Sequence, residues 1–189
     1  IGPLLRGLYD TEREDFYCAI LPTATQYARN AIFAGLMPLA IDKIMPDLWL
    51  NDNEEGGKNQ YEEDFLRRQM QSNGKNYRMT FDKLIRPEQG RKLIDNINRV
   101  YDADFSVIVY NFLDILSHAR TETEIIRELT EDEAAFRSLT RSWFEHSDLF
   151  TILRLLSERG HTVIITTDHG TIRIDNPVKV VWDLSLITI

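Results

Sequence analysis

Three short segments of the chain carry hydroxyl, carboxylate and imidazole side chains at spacings that could bind metal ions and activate a nucleophile. The first segment is Leu21–Asn30, where Thr25 stands at the predicted start of a helix. A hydroxyl there lies near the positive end of the helix dipole, which also attracts phosphate oxygens. Metal coordination can turn such a hydroxyl into a nucleophile. A plain helix cap is the alternative role for Thr25.

The other two segments each pair a carboxylate with an imidazole. Asp114 and His118 lie one turn apart on one face if the chain turns helical after the preceding strand, and this spacing can hold one zinc ion. A surface pair on a helix is the alternative. Asp168 and His169 are neighbours, so both reach one ion only where a strand ends, and Gly170 would supply the turn. A polar turn between a strand and a loop is the alternative here.

Arg29 follows Thr25 by four residues and could bind a substrate phosphate through its fork of donors. Surface pairing or packing is the alternative role for this arginine. The remaining histidines, His146 and His161, stand near a helix end and a strand start, and we expect both to be structural.

The elements that must position these residues alternate along the chain. Apolar runs predict buried strands at residues 16–21, 106–110 and 161–167. Helical patterns run from Thr25 toward Pro38, from a capping box at 130–133 to about 144, and along 149–156 with Gly160 as the cap. This order predicts an α/β fold with a mainly parallel sheet flanked by helices. We expect one domain over residues 1–189, with residues 46–90 forming an insertion or helical cap. An ordinary solvated surface helix with long loops is the alternative for this stretch.

The composition limits the classes of function. The net charge of −8 disfavours a protein that coats nucleic acid, but not a phosphodiesterase whose metal ions supply local positive charge. No apolar stretch approaches the roughly 20 residues that cross a bilayer. The single cysteine, Cys18, lies in an apolar run, so we expect it to be buried and inert. We therefore expect a soluble, cytoplasmic protein without membrane contact.

Taken in order, the three segments resemble the alkaline phosphatase superfamily. Its phosphodiesterase branches show Pro-x-x-Thr followed by a glycine, then Asp-x-x-x-His, then Asp-His-Gly. The matching residues here are Pro22 to Thr25 with Gly35, Asp114 with His118, and Asp168-His169-Gly170. Residues 21–30, 57–62 and 116–121 are also similar to the PglZ domain family, and most of all to the effector domains of PorX-type bacterial response regulators. The resemblance spans nearly all of residues 1–181.

This resemblance implies a zinc-dependent phosphate-ester hydrolase that holds two zinc ions. Thr25, Asp168 and His169 would bind one zinc, with Thr25 as the nucleophile. Asp114 and His118 would bind the other. The implied substrate is a nucleotide or short oligonucleotide phosphodiester, and a phosphomonoesterase is the alternative. A zinc-containing, non-catalytic, dimerising regulatory module is a second alternative. A homodimer and fusion to a receiver domain outside this chain are further expectations.

Two parts of the superfamily pattern have no match in the sequence. One is an aspartate at the end of a strand upstream of Thr25, and the other is a histidine downstream of Asp168-His169-Gly170. After Val181 the chain continues with Trp182-Asp183, where the family usually has Gly-Asp. We therefore expect the sequence to be an excerpt, with residues missing before Ile1 and near Val181–Trp182. Those residues would carry the missing zinc ligands.

Overall fold

A computed structural model of the protein describes residues 2–21, 23–50, 59–112, 115–116, 119, 123–130, 132–170 and 178. The chain divides into two compact units. The first unit consists of residues 1–14 and 77–163, and the second consists of residues 15–76 and 164–189. Among the described residues, no helix is both long enough and apolar enough to cross a membrane.

The described helices and strands are numbered in chain order. They are α1 (Gly2–Leu5), α2 (Thr25–Ala34), α3 (Pro38–Ile44), a 3-10 turn (Pro46–Leu48), α4 (Glu62–Ser72), β1 (Met79–Leu84), α5 (Pro87–Asp95), α6 (Asn98–Tyr101), β2 (Phe105–Tyr110), α7 (Glu124–Leu129), α8 (Glu133–Glu145) and α9 (Asp148–Glu158).

The first unit is built on a parallel pair of strands. β1 and β2 pair one residue to one, from Met79 opposite Phe105 to Leu84 opposite Tyr110. Parallel strands need a crossover connection, and α5 and α6 provide it. Apolar side chains from the strands, this crossover and α9 form the core, with five buried residues: Leu84, Leu93, Val100, Ile152 and Leu156.

Side chains at the helix ends explain where α8 and α9 begin. Asp132 is the N-cap of α8, and its carboxylate accepts from the Ala135 N–H at 2.7 Å. The capping box predicted at residues 130–133 was therefore misplaced, because Thr130 ends α7 and its hydroxyl donates to the Ile126 carbonyl. Ser147 caps α9 by accepting from the Phe150 N–H.

The second unit contains α2, α3 and α4. α2 ends at Gly35, whose φ of +63° is the left-handed conformation that favours glycine, and α3 begins after it at Pro38. The apolar core of this unit contains four buried residues: Ala34, Ile41, Met45 and Phe65. Among the described residues of this unit, four polar side chains are buried: Gln26, Asn30, Asn59 and Glu62.

Two of the three predicted strands are not strands in the described structure. Residues 16–21 and 161–167 are fully described and form no ladder with another strand. Most of their large apolar side chains are exposed, with Phe16 at 97% and Ile164 at 85%, and Cys18 is exposed rather than buried as predicted. An apolar run indicates burial, but a strand also needs a neighbouring backbone, which the run itself does not specify.

The parallel pair and its helices agree with the predicted α/β class, although the described sheet has only two strands. β2 confirms the strand predicted at residues 106–110. β1 was missed, because Met79–Leu84 falls inside the segment that we interpreted as a cap. Its Asp82 and Lys83 gave that stretch a polar composition.

Candidate functional site

Thr25 is the first residue of α2. The N-cap residue is Ala24, which has an extended backbone and makes no side-chain capping bond, so the capping role considered for Thr25 is not the one seen. The Thr25 hydroxyl instead lies 3.5 Å from Nε2 of His169, across 144 residues of sequence. Both residues belong to the second compact unit. The start of the helix and the Asp168-His169-Gly170 segment therefore meet.

The backbone around His169 determines which of its ring nitrogens faces the threonine. Nδ1 lies 3.0 Å from the Gly170 carbonyl oxygen, which can only accept a hydrogen bond. In the neutral ring Nδ1 therefore carries the proton and donates to Gly170, and Nε2 carries the lone pair. A hydrogen bond of this kind is the usual way in which proteins orient a metal-binding histidine.

Asp168 lies on the same side of the imidazole as Thr25. Its Oδ2 is 3.8 Å from Nε2 of His169, and its Oδ1 accepts from the His169 backbone N–H at 3.1 Å. The Thr167 hydroxyl donates to the His169 carbonyl at 2.9 Å, so the turn is held on both sides of the carboxylate. Three donor atoms thus converge: the Thr25 Oγ1, the Asp168 Oδ2 and the His169 Nε2.

This convergence distinguishes between two kinds of chemistry. In a nucleophile–histidine–carboxylate relay, the carboxylate binds the ring nitrogen opposite the nucleophile. Here the hydroxyl and the carboxylate face the same nitrogen, and Gly170 holds the opposite one. Ligands of tetrahedral zinc, at 2.0–2.2 Å from the metal, lie about 3.4 Å from each other. The observed separations from Nε2, 3.5 Å to the Thr25 Oγ1 and 3.8 Å to the Asp168 Oδ2, are near that value, so these three side chains could hold one zinc ion.

The ligands predicted for the second zinc, Asp114 and His118, lie outside the described residues. The described residues beside them, Phe112, Ile115–Leu116 and Ala119, are helical. Within the described parts of the chain, no three His, Cys, Asp or Glu side chains form a group that could hold a metal ion. The cluster at Thr25 has two such side chains, and its third donor is the hydroxyl.

Arg29 is held by a partner that sequence reasoning missed. Its Nε donates to Oε1 of Glu62, whose side chain has no exposed surface. The pairing considered as an alternative for Arg29 is therefore present, and its role in binding substrate stays a prediction. A buried carboxylate is costly unless it is paired, so the Arg29–Glu62 pair fixes α2 against the start of α4.

Asn59 is the second residue that sequence reasoning missed. Its backbone is left-handed, with φ of 66°, and its side-chain Nδ2 donates to the Thr25 carbonyl oxygen at 3.3 Å. Asparagine is one of the few residues that tolerate this conformation. Residues 57–62 were part of the family resemblance, but the pattern alone assigned them no role.

An apolar pocket of about 300 Å³ adjoins the cluster, because Asp168 is part of its wall. The rest of the wall comes from α2, from the residues that follow it and from the segment that contains Cys18. Its apolar lining includes Ile20, Ala28, Ile32 and Leu36. The arrangement places a polar cluster beside a surface suited to an organic group.

Comparison with known proteins agrees with the resemblance at the level of the family. No curated protein matches the chain. A family model described as the BREX system PglZ alkaline phosphatase-like domain matches residues 7–186, which include every predicted site residue. Membership in an alkaline phosphatase-like family supports the phosphoesterase class of hydrolase, and the closer similarity to PorX-type effector domains stays a prediction. The chain therefore belongs to the PglZ family of alkaline phosphatase-like domains.

Proposed function

We propose that the protein is a zinc-dependent phosphodiesterase with Thr25 as its nucleophile. Family membership supports the hydrolase class. The observation that carries the finer proposal is the convergence of the Thr25 and Asp168 oxygens on Nε2 of His169. A hydroxyl, a carboxylate and an imidazole suit zinc better than magnesium, which prefers an all-oxygen shell.

In this proposal the chain's own residues perform two displacements at phosphorus. Zinc held by the cluster supplies positive charge that lowers the pKa of the Thr25 hydroxyl and offsets charge on the phosphate. Thr25 Oγ1 attacks phosphorus in line, a bond to the threonine oxygen forms, and the leaving alcohol departs. Water then breaks the phosphothreonine bond and restores the hydroxyl. N–H groups in the first turn of α2 point toward the phosphate oxygens.

Nucleotide or short oligonucleotide phosphodiesters are the proposed substrates. The net charge of −8 disfavours long polyanions, since they would meet repulsion outside the site. The apolar pocket beside Asp168 offers a wall for an organic group on phosphorus, which a diester keeps after the leaving group departs. Comparing rates on matched aryl monoesters and diesters tests this choice, and faster hydrolysis of the monoester would favour a phosphomonoesterase.

The test of the nucleophile uses two threonines in one segment. Thr23 precedes α2 and is exposed, whereas Thr25 begins the helix and faces His169. We expect Thr25→Ala to abolish hydrolysis of a chromogenic phosphodiester by the full-length protein, and Thr23→Ala to keep most of it. Turnover that survives Thr25→Ala would mean that the nucleophile is another group. Loss of turnover in both variants would mean that the segment acts only structurally.

The metal assignment has its own measurement. We expect close to two zinc ions per full-length chain after dialysis against a weak chelator, because the resemblance implies a second zinc at Asp114 and His118. Magnesium or calcium in their place would contradict the ligand assignment. Metal without turnover would favour a zinc-containing, dimerising regulatory module.

We further propose, from the PorX-type resemblance, that the domain is the effector of a response regulator. The receiver domain would lie outside this chain, and the active form would be a homodimer. The full-length gene sequence tests this proposal directly. An upstream receiver with its acidic cluster and lysine would support it, and a gene without one would contradict it.

A further inference from the structure

Two residues contact Thr25, which carries the proposed nucleophile, one at its side chain and the other at its backbone. The Thr25 side chain faces His169, whereas its backbone carbonyl accepts from the Asn59 amide. Asn59 is 4% exposed and has a left-handed backbone. Asparagine tolerates this conformation, and the buried side chain is directed at the Thr25 carbonyl oxygen.

A second anchor lies one helical turn along α2. Glu62, three residues after Asn59, accepts from Nε of Arg29, which is four residues after Thr25. Residues four apart on a helix lie on one face, so the two anchors meet the same side of α2. The start of α4 therefore holds α2 at two points along its axis.

Thr25 needs such support because it begins its helix. Helix ends fray, and the first residue has no preceding turn to hold its backbone. A small rotation of that residue would move Oγ1 away from Nε2 of His169. Displacement of a reacting group by about 1 Å can lower a rate about 10²-fold.

We propose that Asn59 is a positioning residue for Thr25, with Glu62 as the second anchor of the same helix. The inference rests on the proposed function, because it assigns Asn59 a role through the Thr25 nucleophile. Asn59 fixes the first turn of α2 in its position along the helix axis and in its rotation about that axis. The position of the Thr25 side chain depends on both.

Asn59→Gly is the sharpest test in the full-length protein. Glycine accepts a φ of 66° at least as well as asparagine, so the substitution removes the amide without adding backbone strain. We expect kcat to fall about 10²-fold while KM stays within about threefold, since Asn59 does not touch substrate. Zinc content should match that of the control, whereas the melting temperature should fall slightly because one buried hydrogen bond is lost. The rate at which phosphothreonine forms at Thr25, measured by acid quench and mass spectrometry, should fall with kcat.

Asn73→Gly is the matched control. Asn73 also donates its side-chain amide to a helix carbonyl, that of Gln69 at 2.9 Å, but it lies at the exposed end of α4. We expect this variant to keep kcat and KM.

The outcomes separate this inference from the proposed function. An inactive Thr25→Ala together with an Asn59→Gly that behaves like Asn73→Gly would overturn the positioning role and keep the nucleophile. An active Thr25→Ala would overturn the proposed function. A fall in kcat that accompanies loss of zinc would show a merely structural role and overturn the inference.

Discussion

The two compact units bury different kinds of side chain. The interior of the first unit is apolar, and its buried Thr130 and Ser147 are small hydroxyls that bond to carbonyls at helix ends. The second unit buries amides and a carboxylate around α2, where the Gln26 amide donates to the Leu50 carbonyl and Glu62 pairs with Arg29.

The two kinds of burial contribute differently to the stability of a unit and to the positioning of its helices. Apolar burial is strong but not directional, so it holds helices together without fixing their rotation closely. Hydrogen bonds and ion pairs are directional, but they bring a cost. Oδ1 of Asn30 is buried without a hydrogen-bond partner among the described residues, which costs about 1–3 kcal/mol. Directional contacts, namely hydrogen bonds and an ion pair, hold the helix that begins with Thr25.

The largest expected effect concerns the apolar core of the first unit. Ile152 has no exposed surface and lies at the centre of the first unit's core. We expect Ile152→Ala to lower the free energy of unfolding by about 2–5 kcal/mol through lost burial and a cavity. Denaturant unfolding measures it, with the exposed Ile125→Ala as the control. A change below about 1 kcal/mol would show that the core is not packed around this residue.

The second prediction concerns the end of α2. A Cβ on Gly35 would lie 2.2 Å from Nε2 of Gln69, in addition to the strain at φ of +63°. Gly74 has a similar φ of +67° but open space around it. We expect Gly74→Ala to cost about 1 kcal/mol and Gly35→Ala to cost more, because Gln69 must also move. Equal costs would mean that Gln69 moves freely and does not restrain α2.

The third prediction compares one polar contact in each of the two units. Gln26→Leu keeps the side-chain volume but removes the donor to the Leu50 carbonyl, and we expect a loss of about 1 kcal/mol in stability. Asp132→Ala removes the cap of α8 at a similar cost. Only Gln26→Leu should also lower kcat, because Gln26 adjoins Thr25 on α2. Unfolding and steady-state kinetics on both variants decide it, and equal kcat values would remove the distinction.

The smallest effect lies on the surface of the first unit. The Arg78 backbone N–H, which donates to Asp104, and the Arg78 side chain lower the pKa of that carboxyl below its usual 3.8. A folded pKa below the unfolded one gives stability that is present above about pH 4 and is lost as the pH falls through the folded pKa. We expect Asp104→Asn to reduce the loss of stability between pH 5 and pH 2, as followed by thermal unfolding. An unchanged acid profile would contradict this role.

Local signals in the sequence predicted the elements whose cause is local. α2 begins at Thr25 as expected but ends at Gly35 instead of continuing toward Pro38, and the buried face of α9 matches its apolar period. β1 was missed because its polar Asp82 pairs with Arg99, a partner that no local pattern reveals. Strand pairing for residues 16–21 likewise depends on neighbours elsewhere in the chain.

The candidate site likewise contains residues that the sequence indicated and residues that depend on neighbours elsewhere in the chain. The family resemblance implied that Thr25, Asp168 and His169 share one site. Asn59 and Glu62 escaped notice because a buried polar residue looks like a surface residue in a sequence. Their burial depends on the packing of α4 against α2, which periodicity does not specify.

The one-to-one register of β1 and β2 has a consequence for amide hydrogen exchange. In a parallel pair, each strand directs the N–H of every second residue toward its neighbour. Exchange should therefore be slow at alternate residues along Met79–Leu84 and along Phe105–Tyr110. A strand added at either outer edge would protect the other set of that strand as well. The pattern of slow and fast amides thus reports both the register and the number of strands that flank each member of the pair.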